Sequence, residues 1–223
     1  MLNNKLNLYP MGQKVYEIIK GKIIDFSYKP DQQLIEQNLC AEFGVSKSPV
    51  REALQRLEGD GLVILIPYRG AYVASVLIEE FKEICQLREA LEVFCLEKGM
   101  VSYSKKDIKE FKSIMELSKN KLERNEGSEA IEDHLSFHYL IVKKLNNKLI
   151  VNAYSRINNK MKRYLLFAIK VKPERIGLYN NEHYKILEAM ENGNVSVAVD
   201  ELRKHLSHVV ETFLSDDILQ IFG

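Results

Sequence analysis

The chain has 223 residues, 46% of them hydrophobic and 28% charged, with a formal net charge of +1. That balance is globular and excludes a disordered chain, and no apolar run of 18 residues exists to span a membrane. The length favours two domains, and the near-neutral charge excludes nucleic-acid binding by bulk electrostatics.

Met1-Leu-Asn-Asn-Lys-Leu6 contains no long apolar run, so no signal peptide is expected. Three cysteines, Cys40, Cys85 and Cys95, lie in helical patterns without metal-type pairing, which suits a reducing cytoplasm. Further on, Gly44 closes a helical pattern (Ile35, Leu39, Cys40, Phe43) as a left-handed cap would. Ser46 or Ser48 caps the next helix, and Pro49 fits its first turn because that amide has no intrahelical partner. Val50, Leu54 and Leu57 fall at i, i+4 and i+7 and face a core. Ser46, Lys47, Ser48 and Arg51 gather at the N-terminal end, where a recognition helix meets base edges and phosphates.

Gly61 ends that helix. Leu62-Val-Ile-Leu-Ile66 and Ala71–Val76 read as strands joined by the turn Pro67-Tyr-Arg-Gly70. A helix-turn-helix followed by a hairpin is a winged helix, with Tyr68 and Arg69 at the wing tip; such modules bind DNA or dock proteins. Residues 1–75 hold nine Lys and Arg against eight Asp and Glu. Affinity for DNA would therefore rest on a local cluster at Lys47, Arg51, Arg56 and Arg69, doubled by dimerisation. This domain is drawn at residues 8–75.

Leu34-Ile-Glu36, Val45-Ser-Lys-Ser-Pro-Val-Arg-Glu-Ala-Leu54 and Arg69-Gly-Ala-Tyr-Val73 resemble the DNA-binding domain of GntR-type bacterial transcription regulators. The resemblance covers roughly residues 10–75. It implies a homodimer on palindromic double-stranded operator DNA, with Gln37, Ser46, Lys47, Ser48, Arg51, Arg56, Tyr68 and Arg69 as the contacting set. Two positions depart from the pattern. Lys29-Pro-Asp31 stands where Pro-Gly is usual, and Lys47 replaces a common Arg, turning a bidentate guanine contact into a single-point one.

From Ile78 onward only helical periods occur. Six helices are predicted, over about 78–99, 104–124, 128–145, 148–171, 173–193 and 194–214, the second opened by the capping box Ser104-Lys-Lys-Asp107. An antiparallel all-α bundle over 76–223 would make the whole chain mostly α, with room for a small-molecule pocket between helices.

All five histidines lie in this half. His134 and His138 are i, i+4 among Ile131, Leu135, Ile141 and Val142. His183 lies with Tyr179, Ile186 and Leu187, and His205 shares a face with Ala198, Leu202 and Val209. His208 sits with Glu201, Lys204 and Glu211 on a solvated face. Burying four imidazoles without a shared partner leaves many polar atoms unpaired, and neutral imidazole is the commonest metal ligand. A divalent metal site at His134, His138, His183 and His205 is one reading; a hydrogen-bonded core is the other. Imidazole-rich ligation suits zinc or nickel better than magnesium or calcium. Arg88 and Glu92 interrupt an apolar stripe of Phe81, Ile84, Cys85, Leu91 and Cys95. They form a partly buried ion pair, or Arg88 reaches a pocket and clamps a carboxylate.

Residues 78–214 are similar to the FCD ligand-binding domain of the FadR-type GntR subfamily, through Arg88-Glu-Ala-Leu-Glu92, Phe137-His138, His183 and His205. In metal-binding members, an Asp four residues before the first of these histidines joins the three to hold a divalent cation. Here that position is His134. Asp133 lies about 100° around the helix and should not substitute. Four neutral imidazoles leave a dication uncompensated, which favours an anionic ligand at its open positions.

The sequence thus reads as a cytoplasmic, ligand-responsive transcription regulator with no membrane association. A small carboxylate, a metal ion or both would be sensed in the helical domain. Two rivals stay open: a pure metal sensor, and a metal-dependent enzyme with an N-terminal docking module. Against the enzyme, Leu135 occupies the general-base position of a His-Glu-x-x-His motif, and no other carboxylate is expected on the histidine-bearing faces.

Overall fold

The computed structural model describes residues 10–216 and residue 218. The N-terminal hexapeptide, the expected domain start at residue 8 and the chain end at residue 223 lie outside the described residues. The chain divides into two compact units between Val76 and Leu77.

The first unit begins with α1 (Met11–Ile24), whose buried Val15, Ile19 and Ile23 recur every fourth residue beside Tyr16. A two-residue strand β1 (Gln33–Leu34) leads into α2 (Glu36–Phe43), which stops at Gly44 with φ +65°. That left-handed backbone costs an L-residue about 1–2 kcal/mol and costs glycine little. Helix α3 (Lys47–Gly59) follows, with Ser46 at its N-cap position and Val50, Ala53, Leu54 and Leu57 buried toward α1. Strands β2 (Val63–Ile66) and β3 (Gly70–Val73) pair antiparallel, Ile66 opposite Gly70 and Val63 opposite Val73. On its other side β3 pairs antiparallel with β1, Gln33 opposite Tyr72, so the sheet order is β1-β3-β2. This third strand was not expected, since two residues carry only one alternation of burial. At the wing tip Tyr68 is fully exposed at φ +63°, and the Arg69 amide donates to the Ile66 carbonyl at 3.0 Å.

Among the described residues the second unit contains six helices and one 3-10 turn. They are α4 (Ile78–Gly99), the turn Met100–Ser102, α5 (Lys105–Glu123), α6 (Gly127–Lys144), α7 (Lys148–Val171), α8 (Arg175–Glu191) and α9 (Val195–Phe213). The Ser104–Asp107 capping box forms in both directions. Asn147 and Asn194 cap α7 and α9, their side-chain oxygens accepting from Leu149 and Ile150, and from Val197. Helix α8 opens at Arg175, two residues later than expected from Pro173. A proline disfavours helical backbone at the residue before it, and Lys172, which ends α7, sits at φ −128°, ψ 74°. Phe81, Phe111, Phe137, Tyr154 and Phe213 fill the interior. Among the described residues no helix is long and apolar enough to cross a membrane.

Candidate metal centre and nucleic-acid interface

Four helices of the second unit each bring polar groups to one buried point. His134 and His138 come from α6, His183 from α8, His205 from α9, and Arg88 with Glu92 from α4; all six side chains are buried. The Nε2 atoms of His138, His183 and His205 converge: His138 lies 3.0 Å from His183 and 3.1 Å from His205, and His183 lies 3.3 Å from His205. His134 stacks on His183 with ring centroids 4.6 Å apart. One ligand atom from each of the four lies within 4.8 Å of the others.

Two carboxylates fix the rings. Glu92 Oε2 accepts from His138 Nδ1 at 2.7 Å, and Glu182 Oε2 accepts from His205 Nδ1 at 2.7 Å. A carboxylate only accepts, so the proton sits on Nδ1 and each Nε2 presents a lone pair. His138 and His205 therefore aim two lone pairs at each other. A cation about 2.1 Å from each nitrogen needs its ligand nitrogens about 3.0–3.4 Å apart, the separation present here. His134 supplies a second sign: both its nitrogens are buried without a partner among the described residues. An unsatisfied buried polar group costs about 1–3 kcal/mol, which a fourth metal–nitrogen bond would remove. The residues fit a divalent cation.

All four imidazoles are held neutral. Burial pushes His134, His138 and His183 well below the usual histidine range, helped by the neighbouring imidazoles and the Arg88 charge. Burial and Arg88 bring His205 down to about 3. The unfolded chain takes up these protons below about pH 6.5 whereas the fold does not, so stability should fall as pH drops from that value. The expected slope is about 1.4 kcal/mol per pH unit for each histidine that stays neutral. Urea unfolding at pH 7.5, 6.0 and 5.0 measures it, and a flat profile would contradict the buried cluster.

The ion-pair expectation for Arg88 is met, with the pair more deeply buried than expected. Its Nε donates to Glu92 Oε1 at 2.8 Å, a fully buried i, i+4 pair, while Nη1 and Nη2 have no hydrogen-bond partner among the described residues. Glu92 also accepts from the Tyr154 hydroxyl at 2.6 Å. One carboxylate thus joins α4, α6 and α7.

Three expectations need correction or sharpening. Carboxylates do stand at the cluster, Glu92 and Glu182, although both are spent on orienting imidazoles. Glu182 carries no sequence signal because it shares no helical stripe with a histidine and reaches His205 on another helix. His208 is half-exposed but not detached, since its Nδ1 lies 2.7 Å from Glu182 Oε1. Asp133 pairs with Lys121 at 2.7 Å, away from the four rings, as the helix angle requires.

In the first unit, Gln37, Ser46, Lys47, Ser48 and Arg51 are exposed on α2 and the start of α3. The Ser46 hydroxyl makes no capping bond. Arg51 Nε donates to both carboxylate oxygens of Glu36, at 3.0 and 2.9 Å. Arg51 and Tyr68 line one groove between α3 and the wing, together with Gln55, a residue the sequence reading passed over although it lies one turn beyond Arg51. Arg69 is exposed at the tip, and its carbonyl accepts from Gln33 Nε2 at 2.9 Å. Arg56 departs from the expected set. Its guanidinium lies 4.5 Å above the Tyr16 ring and donates to Gln13, both on α1. Five residues past Arg51 is about 140° around the helix, which turns Arg56 toward α1.

Comparison with known proteins agrees with this division. A family model described as "FCD domain" matches residues 83–208, and one described as "Bacterial regulatory proteins, gntR family" matches residues 11–73. The chain is 26% identical over 205 residues to an uncharacterised HTH-type transcriptional regulator, YdhC, of Bacillus subtilis, covering 91% of this chain and 90% of that one. It is 24% identical over 221 residues to the gluconate operon transcriptional repressor of the same organism, covering 94% and 90%. A GntR transcriptional regulator from Rhodococcus sp. RHA1 superposes with a TM-score of 0.70 at 22% identity, covering 91% of this chain and 97% of that one. These families and relatives are transcriptional regulators, not enzymes.

Proposed function

Because the chain belongs to the GntR family of bacterial transcriptional regulators, in the FadR-type arrangement of a gntR-family domain followed by an FCD domain, we propose that it is a cytoplasmic, effector-responsive regulator of this kind. It binds palindromic operator DNA as a homodimer and senses a small carboxylate at its histidine cluster. The observation that carries this reading is the buried juxtaposition of four inward imidazoles with two unpartnered guanidinium nitrogens.

In this proposal His134, His138, His183 and His205 hold a divalent cation, zinc or nickel by ligand type. When bound, the cation supplies a Lewis-acidic anchor for a carboxylate oxygen. Arg88 presents Nη1 and Nη2 to the same anion, its charge held in place by Glu92. Glu92 and Glu182 keep the His138 and His205 rings aimed inward. Binding of the acid shifts operator affinity only by its unequal affinity for the two states of the protein, typically about 1–3 kcal/mol or roughly 5–150-fold. The free Arg88 nitrogens favour an organic anion over the bare cation as effector, since a pure metal sensor has no use for a second buried cation.

Elemental analysis with native mass spectrometry, followed by anisotropy titration of operator DNA with metal alone and with metal plus candidate acids, tests the proposal. Release or capture of DNA by metal alone would turn it into a metal sensor. On the DNA side, Arg51→Ala should cost about 1–3 kcal/mol of specific affinity. Arg56→Ala should leave base discrimination unchanged and act only on the stability of the first unit. Anisotropy with specific and scrambled duplexes separates the two, and unaltered specific binding by Arg51→Ala would remove that residue from the interface.

A further inference from the structure

A cavity of about 230 Å³ opens between α4 and α9, and none of the four clustered histidines lines it. Its apolar wall is Cys85 from α4 with Leu206, Val209 and Val210 from α9. Arg88 lines it too, fully buried and with Nη1 and Nη2 unpartnered among the described residues. Lys82 stands exposed at the edge of the same cavity. The volume is below the roughly 300–1,000 Å³ of pockets that take drug-sized molecules, so the occupant is small. The charges around the edge are unequal. Glu89, the acid there, is engaged by Arg203 Nη1 at 2.5 Å. Lys82 lies 3.7 Å from Glu79, beyond hydrogen-bond reach, and both side chains stand largely in solvent.

We infer that this cavity holds the body of the effector, and that the effector is a short-chain dicarboxylate. One carboxylate meets Arg88, the methylenes lie against Cys85, Leu206, Val209 and Val210, and the second carboxylate meets Lys82. The inference rests on the carboxylate sensing proposed above and narrows it to a chemical class. Lys82 and Arg88 are six residues apart on α4, about 9 Å along the axis, a span that suits a diacid of about four to six carbons. A monocarboxylate of the same length would leave the Lys82 charge unused. A sugar acid would press its hydroxyls against a thiol and aliphatic side chains, where they lose water without gaining a partner. A long fatty acid would outgrow the cavity and carry its tail past Lys82 into solvent.

Calorimetric titration of the full chain, supplied with zinc, against succinate, glutarate and butyrate tests this. The two diacids should bind about fivefold tighter than butyrate, the upper margin of one partly exposed ion pair. Lys82→Ala should erase that margin and leave butyrate unchanged, whereas a residue that only supports the fold would weaken all three acids alike. Val210→Trp, which fills the cavity from its wall, should abolish binding of the diacids. Cys85 supplies a second readout, since it and Cys40 of the other unit are both half-buried thiols. Glutarate should slow alkylation of Cys85 by a maleimide and leave that of Cys40 unaltered. Equal binding of diacid and monoacid, undiminished binding by Val210→Trp, or a Cys85 that glutarate does not protect would overturn the diacid and its cavity while leaving carboxylate sensing in place. Binding of none of the three acids would overturn carboxylate sensing itself.

Discussion

Protein loaded with zinc or nickel should melt about 8–16 °C above protein stripped by a chelator. A ligand that binds only the folded state at about 1,000 times its dissociation constant adds about 4.1 kcal/mol, and each kcal/mol is worth about 2–4 °C at this chain size. Replacing His134, His138, His183 or His205 by Ala should remove most of the difference. His134→Asp should retain it, because a carboxylate at that position also ligates. His208→Ala should produce a small loss, since Glu182 would lose one of the two rings it braces; the exposed Lys204→Ala is the neutral control. Differential scanning calorimetry paired with elemental analysis decides the matter. Identical melting of loaded and stripped protein, with no metal found, would leave the four imidazoles as a strained polar core.

Substitution of Glu92 should be the most damaging single change at the site. Glu92→Gln keeps the shape but removes the counter-charge of a fully buried guanidinium, and breaking a buried pair costs about 3–5 kcal/mol. The same change offers His138 Nδ1 a weaker partner, which should lower metal affinity by roughly 10–100-fold. Removing both charges, as in Glu92→Gln with Arg88→Met, should restore much of the stability, because no uncompensated ion is left inside. Urea titration of the two single variants and the double variant completes the cycle. A Glu92→Gln protein within about 1 kcal/mol of wild type would mean that Arg88 finds its compensation elsewhere.

The helices were legible because their signals are local. Gly44, the Ser104–Asp107 box and the apolar periods of α4 and α9 each act within one or two turns, and the helix 148–171 was placed to the residue. Strand β1 was not legible, since two residues make no period and its existence depends on β3, nearly forty positions away. The inward histidines could be read as single faces, but the bonds that orient them could not. Glu92 meets His138 across 46 residues of sequence, and Glu182 meets His205 across 23. The contacts of Arg56 with Tyr16 and Gln13 are illegible for a simpler reason: positive charge near a recognition helix says nothing of its angle around that helix.

The backbone at Tyr68 carries a consequence for how this protein would change under selection. An aromatic side chain held at φ +63° and wholly in solvent contributes nothing to folding, and its left-handed backbone costs about 1–2 kcal/mol that a glycine there would largely avoid. Variants chosen for heat resistance alone should therefore drift to Tyr68→Gly early. Variants chosen for regulation in the cell should keep the tyrosine if the wing touches operator DNA, because a local strain is retained only where something outside the fold rewards it. The two lineages would separate at this one codon before they differ anywhere in the histidine cluster.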